Sequence, residues 1–147
     1  MLFRSEIADL ADCLIKMGAK IEGAGTPIIR IVGVSELRGA THRVTPDRIE
    51  TGTYALAAAM AGGEVRLSNT SADVIESLLL KMEEAGVGVE RLNDGVTIRR
   101  NGARLNAVEI TTDPYPGFAT DLQAQFMALM TLADGESVIR EIGRAHV

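Results

Sequence analysis

Apolar residues recur at helical spacing in the first part of the chain. They stand at Ile7, Leu10, Leu14 and Met17, and Gly18 follows at a position typical of a helix end. This pattern predicts an amphipathic helix. Short pieces rich in β-formers and separated by glycine-containing turns follow it, and they predict strands at residues 20–22, 28–32 and 41–44.

A second helix is predicted after Thr45, which has the character of an N-cap. Pro46 suits the first turn, and the helix dipole favours Asp47 there. The alanine-rich stretch that follows is expected to remain helical up to Gly62-Gly63, and a strand is predicted at residues 64–67.

Two further helices are predicted from capping-box patterns. One pattern joins Thr70 to Asp73 and opens a helix that ends near residue 86, and the other joins Thr120 to Gln123 and opens a helix to residue 133. Between and after these helices, strands are predicted at residues 87–89, 96–98, 108–110 and 137–139.

The two halves of the chain resemble each other. Residues 14–22 match residues 82–90 in a Gly-x-x-apolar-Glu ending, and residues 42–47 line up with residues 108–113. The period is therefore about 66–68 residues, and one unit contains two helices and several strands. A repeated unit that cannot bury its faces alone implies neighbouring units.

Composition narrows the class of protein. Hydrophobic residues make up 46% of the chain and charged residues 24%, which is typical of a folded domain. The net charge of -5 argues against binding to nucleic acid. The single Cys13 excludes an internal disulfide. We find neither a signal peptide nor an apolar run of about 18 residues, so no membrane association is expected and the predicted location is cytoplasmic.

Three stretches together carry a resemblance to a known family. Residues 41–53, with the string Pro-Asp-Arg-Ile-Glu-Thr-Gly, residues 7–25 and residues 118–126 resemble the UDP-N-acetylglucosamine 1-carboxyvinyltransferase family of enolpyruvyl transferases. The resemblance covers nearly the whole chain. It implies an α/β (α+β) fold with two inside-out, barrel-type domains built from βαβαββ repeats, of which this chain would hold an incomplete set.

The resemblance also implies where the domains meet. In that family the chain crosses between domains beside the Pro-Asp-Arg motif. Residues 1–45 would therefore end the domain with the catalytic loop, and residues 46–147 would belong to the second domain. Residues 1–5 and 142–147 depart from the family pattern, and we expect both ends to be non-native, as translations of adapter DNA.

The implied reaction moves the enolpyruvyl group of phosphoenolpyruvate to the 3-hydroxyl of UDP-N-acetylglucosamine and releases phosphate. It is the first committed step of peptidoglycan synthesis, and therefore belongs to cell wall biogenesis, cell shape and cell division. No cofactor or metal is implied. The family's reactive loop cysteine, early lysine and phosphate-binding arginines are absent from this sequence, so the chain alone is expected to be inactive.

Asp121 matches the family residue that contacts the sugar hydroxyl and is the favoured general base. A carboxylate held at a helix start has the fixed orientation that proton transfer requires. The alternative is an acid in a first turn, stabilised only by the helix dipole at about 0.3–1 kcal/mol. The matching context of residues 118–126 favours the functional role, as base or as an orienting group.

Asp47, Arg48 and Glu50 are weaker candidates for substrate binding. They stand beside the expected domain crossing, where an arginine could reach an anionic ligand. A capped helix start with a local ion pair explains them almost equally well.

Several other reactive residue types carry no predicted chemistry. Cys13 lies in the stripe of the first helix and is expected to be inert. His42 is expected to be structural or exposed, because no second ligand stands at metal spacing. Three arginines flank a predicted hairpin turn at residues 101–102 and are expected to form a solvated rim: Arg99, Arg100 and Arg104.

Two other functions remain open. Within the same fold, the chain could come from the enolpyruvyl transferase that acts on shikimate 3-phosphate, although the strings at residues 48–53 and 120–125 favour the sugar nucleotide. From another class, it could be a non-catalytic module that kept the fold and lost the chemistry.

Overall fold

The computed structural model describes residues 5–141, and of Ser5 the backbone alone. The chain divides after Thr45 into two compact units. The sequence predicts the domain crossing at the same position, and the assignment of each unit to a domain of an enzyme stays a prediction. The ends expected to be non-native lie outside the described residues, apart from Ser5, which begins the first helix.

The first unit contains one helix and one pair of strands. Helix α1 spans Ser5–Lys16 and is followed by Gly18 with a φ of +103°, a conformation that favours glycine. Strands β1 (Lys20–Glu22) and β2 (Arg30–Val32) pair antiparallel. The strand predicted at residues 41–44 is wrong, because residues 33–45 contain no regular element.

The second unit opens with helix α2, Arg48–Ala61. Its N-cap is Asp47 and not the predicted Thr45, because the Asp47 carboxylate accepts hydrogen bonds from the first turn. At the other end Gly62 has a φ of +79°. There the Arg100 guanidinium donates to the carbonyls of Ala59 and Met60. Both ends of α2 are thus capped by side chains.

A three-stranded antiparallel sheet packs against α2. Its order is β3 (Gly63–Ser68), β5 (Gly95–Arg100) and β4 (Gly88–Leu92). A 3₁₀ turn at Ala72–Ile75 and helix α3 (Glu76–Glu84) connect β3 to β4. The predicted cap at Thr70 is wrong by one residue, because the hydroxyl of Ser71 accepts from the Asp73 amide.

The last part of the chain forms short parallel pairs around a fourth helix. Strand β6 (Leu105–Asn106) pairs with β8 (Ala133–Asp134), and β7 (Ile110–Thr111) pairs with β9 (Ile139–Arg140). Helix α4 spans Gln123–Met130. It ends before the predicted residue 133, because residues 133–134 pair with β6 instead. The predicted hairpin across residues 101–102 is also wrong, since β6 does not pair with β5.

The core of the second unit lies between its helices and strands. Leu56 of α2, Met82 of α3, Ile98 of β5 and Phe126 of α4 belong to one cluster of buried side chains, each at most 1% exposed. Helices and sheets thus share one core, and the predicted mixed α/β fold class is confirmed. The strands among residues 5–141 close no barrel.

Candidate active site

The first turn of α2 presents the Pro-Asp-Arg-Ile-Glu-Thr-Gly segment. One carboxylate oxygen of Asp47, Oδ1, accepts from the amides of Ile49 at 2.7 Å and Glu50 at 3.1 Å. A carboxylate in this position satisfies helix donors and interacts favourably with the dipole. The structural role of Asp47 is therefore evident, while Arg48 is half-buried and Glu50 exposed.

Asp121 lies in the middle of a 3₁₀ turn, Thr120–Leu122, that leads into α4. The predicted capping box is wrong: the N-cap is Ala119 and makes no side-chain cap bond. The hydroxyl of Thr120 donates instead to Glu141 at 3.3 Å. Asp121 is exposed and its neighbour Leu122 is buried, so Asp121 stands at the surface on a turn anchored in the core.

The turn of Asp121 packs directly on α2. A Cβ added to Gly52 would lie 2.7 Å from Leu122 Cδ1, so only glycine leaves room for this approach. One step further along α4, Gln125 Nε2 donates to the hydroxyl of Thr53 at 3.1 Å. The two segments that the sequence singles out thus form one packed site, although about 70 residues separate them along the chain.

The same turn is also joined to the strands on its other side. Glu141 Oε1 accepts from Thr112 Oγ1 at 3.0 Å as well as from Thr120. Phe118, which precedes the turn, contacts Phe126 edge to face with ring centroids 5.2 Å apart. Apolar and polar contacts together fix the backbone on which Asp121 stands.

The candidate residues do not all line one space. Asp47 and Glu50 line a cavity of about 340 Å³ together with residues of β3 and the turn after it. Neither Arg48 nor Asp121 belongs to this lining. Asp47 and Glu50 therefore lie beside the same cavity, whereas the turn of Asp121 contacts the second half of the α2 motif at Gly52.

The other reactive residues have structural surroundings. His42 has a side chain only 8% exposed, and its Nε2 lies 3.1 Å from Asp9 Oδ1. The prediction of a structural role fits this position, although His42 is not in a strand. Cys13 is free and half-buried. Within residues 5–141 we find no cluster of three His, Cys, Asp or Glu side chains suited to a metal ion. No described helix is long and apolar enough to cross a bilayer.

The arginines of the second unit are largely engaged with carboxylates. The pairs are Arg66–Asp94, Arg91–Glu76, Arg91–Glu83, Arg99–Glu64, Arg99–Glu90, Arg104–Asp134 and Arg140–Glu109. The Arg91 guanidinium holds the pKa of Glu83 below its usual value. Arg99 and Arg104 thus fit the predicted solvated rim, whereas Arg100 caps α2 and does not.

This arrangement can orient a hydroxyl or accept its proton. Asp121 is an exposed acidic residue on a turn that is fixed on both sides, and fixed orientation is what general-base catalysis requires.

Comparison with known proteins identifies the family. The family model described as EPSP synthase (3-phosphoshikimate 1-carboxyvinyltransferase) matches residues 2–143, which is nearly the whole chain. The chain belongs to the EPSP synthase family.

The chain is also similar to individual proteins over most of its length. It is 68% identical over 136 residues to a UDP-N-acetylglucosamine 1-carboxyvinyltransferase of Caulobacter sp. (strain K31), which covers 92% of this chain and 32% of that protein. A protein of the same name from Methylobacterium radiotolerans is 62% identical with the same coverage. The chain therefore spans about a third of the length of these relatives.

A solved structure agrees on the fold. The enolpyruvyl transferase NikO from Streptomyces tendae superposes with a TM-score of 0.77 and 26% identity, covering 95% of this chain and 34% of that one. The EPSP synthase family assignment thus rests on both sequence and structure.

Some site residues were not found from the sequence. Gly52, Gln125, Thr112 and Glu141 hold the Asp121 turn, yet none of them was singled out. Gly52 and Gln125 lie inside the recognised motifs, so their strings pointed to them. Thr112 and Glu141 gave no local signal, because their hydrogen bond joins positions 29 residues apart.

Proposed function

We propose that this chain is part of an enzyme that transfers the enolpyruvyl group of phosphoenolpyruvate to the 3-hydroxyl of UDP-N-acetylglucosamine and releases phosphate. The observation that carries the proposal is the 68% identity over 136 residues to a protein named for this reaction. The packing of the two motifs around Gly52 and Leu122 supports it, since it builds a coherent site from both.

Asp121 is the residue to which we assign the proton transfer or the orientation of the sugar hydroxyl. Its turn is fixed by Leu122 in the core and by the Thr120–Glu141 hydrogen bond, while the residue itself is exposed. Asp47, Arg48 and Glu50 are proposed as a secondary substrate contact beside the domain crossing, with Asp47 also capping α2.

The wider setting follows from the same proposal. Residues 1–45 would belong to the domain with the catalytic loop and residues 46–147 to the second domain. The reaction would be the first committed step of peptidoglycan synthesis, in the cytoplasm. The chain alone is expected to be inactive, since it spans only 32% of a relative.

The competing substrate is 3-phosphoshikimate, which the matching family model names in its description. The names and identities of the curated relatives favour the sugar nucleotide, at 68% and 62%. A hybrid enzyme tests the choice: residues 6–141 of this chain replace the matching segment of the Caulobacter protein, and phosphate release is measured with each acceptor.

We expect the hybrid to release phosphate with UDP-N-acetylglucosamine and not with 3-phosphoshikimate. Asp121→Asn in the hybrid should lower kcat by about 10²–10⁴-fold, the usual contribution of a general base. Asp113→Asn, at another exposed carboxylate nearby, is the matched control and should retain activity. Turnover of the shikimate acceptor alone would overturn the proposed substrate, and full activity of Asp121→Asn would overturn the role of Asp121.

A further inference from the structure

Thr112 is a polar residue in a fully buried position. It is 0% exposed, and it is the polar member among the largest fully buried side chains of the described chain. A buried hydroxyl is costly unless it forms a hydrogen bond. Thr112 Oγ1 donates to Glu141 Oε1 at 3.0 Å, and a carboxylate acceptor makes such a bond stronger than a neutral one would.

The acceptor oxygen of Glu141 is shared by two hydroxyls. Thr120 Oγ1 donates to the same Oε1 at 3.3 Å. Thr112 follows β7 directly, and Thr120 is the first residue of the 3₁₀ turn that carries Asp121. One carboxylate oxygen therefore connects the buried end of a strand to the residue before Asp121.

Backbone bonds make the strand side of this connection rigid. The Thr112 amide donates to the carbonyl of Arg140 at 2.9 Å, and the Asp113 amide donates to the carbonyl of Phe118 at 2.9 Å. The backbone of Thr112 is thus fixed against the end of β9, and Glu141 follows β9 directly. On the other side of the turn, Leu122 is 3% exposed and packs on Gly52.

We infer that Thr112 is a positioning residue for Asp121, acting through Glu141 on the Thr120–Leu122 turn. The turn is held at both ends, by Glu141 at Thr120 and by the core at Leu122, and Asp121 lies between these anchors. That Thr112 fixes the position of the turn follows from the hydrogen bonds alone. The consequence for catalysis rests on the proposed function. Small displacements of a reacting group cost about 10²-fold in rate, so loosening one anchor should be measurable.

The alternative is that Thr112 only fills space. Thr112→Val keeps nearly the same volume and removes the hydroxyl, while Thr112→Ser keeps the hydroxyl and removes the methyl group. If the hydroxyl positions the turn, Thr112→Val should loosen the Thr120–Leu122 turn, and Thr112→Ser should largely keep it in place. Thr97→Val is the matched control, since Thr97 is also buried, at 4% exposed, and lies in β5.

The first test is hydrogen exchange on the whole 147-residue chain. The Leu122 amide, which donates to the Ala119 carbonyl at 3.0 Å, reports on the turn. We expect its exchange to become about tenfold faster in Thr112→Val and to return towards the original rate in Thr112→Ser, with Thr97→Val unchanged. Unchanged exchange in Thr112→Val, or equal acceleration in the Ser variant, would overturn the inference.

The second test uses the hybrid enzyme. Thr112→Val should lower kcat about 10–100-fold with little change in KM for UDP-N-acetylglucosamine, and Thr112→Ser should recover most of the rate. A rise in KM without loss of kcat would contradict a positioning role. An inactive parent hybrid would count against the proposed function alone, because the exchange experiment decides independently whether Thr112 fixes the position of the turn.

Discussion

Each of the two units is stabilised internally by a different kind of contact. In residues 46–141 a continuous apolar cluster joins helices α2, α3 and α4 to the strands. Among residues 6–45 the buried apolar side chains are limited to Ala11, while Ile28, Ile31 and Val44 are 75%, 66% and 71% exposed. Residues 46–141 therefore have their own core, and the described residues 6–45 do not.

In the first unit, hydrogen bonds provide stabilisation of the kind that the apolar core provides in the second unit. Asp9 Oδ1 accepts from His42 Nε2 at 3.1 Å and from the Thr45 amide at 3.2 Å, and the Arg38 amide donates to the Met17 carbonyl at 2.8 Å. These bonds join the irregular residues 33–45 to α1 and to the residue that follows it. Hydrogen bonds each contribute about 1 kcal/mol net, so this unit should open more easily than one with a packed core.

The largest expected effect comes from the core of the second unit. Phe126→Ala removes a fully buried ring that contacts Phe118, and it should lower the free energy of unfolding by about 3–5 kcal/mol in urea titrations. Met127→Ala, at the exposed neighbour, should change it by less than about 0.5 kcal/mol, as should Ile31→Ala in the first unit. Equal losses of unfolding free energy in Phe126→Ala and Ile31→Ala would contradict the difference in core packing between the two units.

A smaller effect is expected where the two motif segments meet. Gly52→Val places side-chain atoms where a Cβ alone would already lie 2.7 Å from Leu122, and overpacking of this kind costs about 1–3 kcal/mol. Ala57→Val, at an exposed position of the same helix, measures the effect of a valine there without the close contact. Valine is a better helix former than glycine, so a loss of stability in Gly52→Val comes from overpacking. The free energy of unfolding of both variants should be compared. Similar losses in the two variants would mean that the Gly52–Leu122 contact is loose.

In the first unit, Asp9→Ala should remove the acceptor of two hydrogen bonds. We expect about tenfold faster exchange of the Thr45 amide, which corresponds to about 1.4 kcal/mol, with no change in the exchange of core amides in β5. Glu22→Ala, at an exposed carboxylate of β1, serves as the control. Slower opening at Thr45 than in β5 would reverse the order of stability that the two units are expected to have.

The smallest effect is electrostatic. The pKa of Glu83 is held below its ordinary value of 4.5 by hydrogen bonds from Arg91. Because the folded pKa is depressed, the stabilisation is present above that ordinary value and is lost as pH falls through the lower, folded value. Glu83→Gln should therefore cost less than about 1 kcal/mol at pH 7, since the pair is at the surface, and nothing well below the folded pKa.

Urea unfolding of Glu83→Gln at neutral and acidic pH measures this difference. Glu136→Gln, at another exposed carboxylate, is the control for the loss of one negative charge. A cost at acidic pH equal to that at neutral pH would show that the pair does not act through charge.

Local patterns predicted most helices well and their caps poorly. The apolar spacing from Ile7 to Met17 located α1, and the glycines at 62–63 located the end of α2. The caps at Thr45, Thr70 and Thr120 were wrong, because several neighbouring side chains can cap a helix and the path of the incoming chain decides which one does. In two of these cases a residue one or two positions later, Ser71 or Asp47, accepts the bonds.

The candidate site shows the same difference between local features, which the sequence predicts, and long-range contacts, which it does not. Asp121 and the motif around Glu50 were recognised from their strings, which are local. The contacts that hold Asp121, from Gly52 to Leu122 and from Thr112 to Glu141, join positions tens of residues apart and leave no periodic pattern.

The sequence by itself determined the mixed α/β class and the family, because apolar periodicity, helix ends and motif strings are local properties. The tertiary structure alone decided which strands pair, which residue caps each helix and which side chains position Asp121. Those outcomes depend on long-range packing: a buried hydroxyl such as that of Thr112 needs a partner, and only the folded chain brings Glu141 within reach.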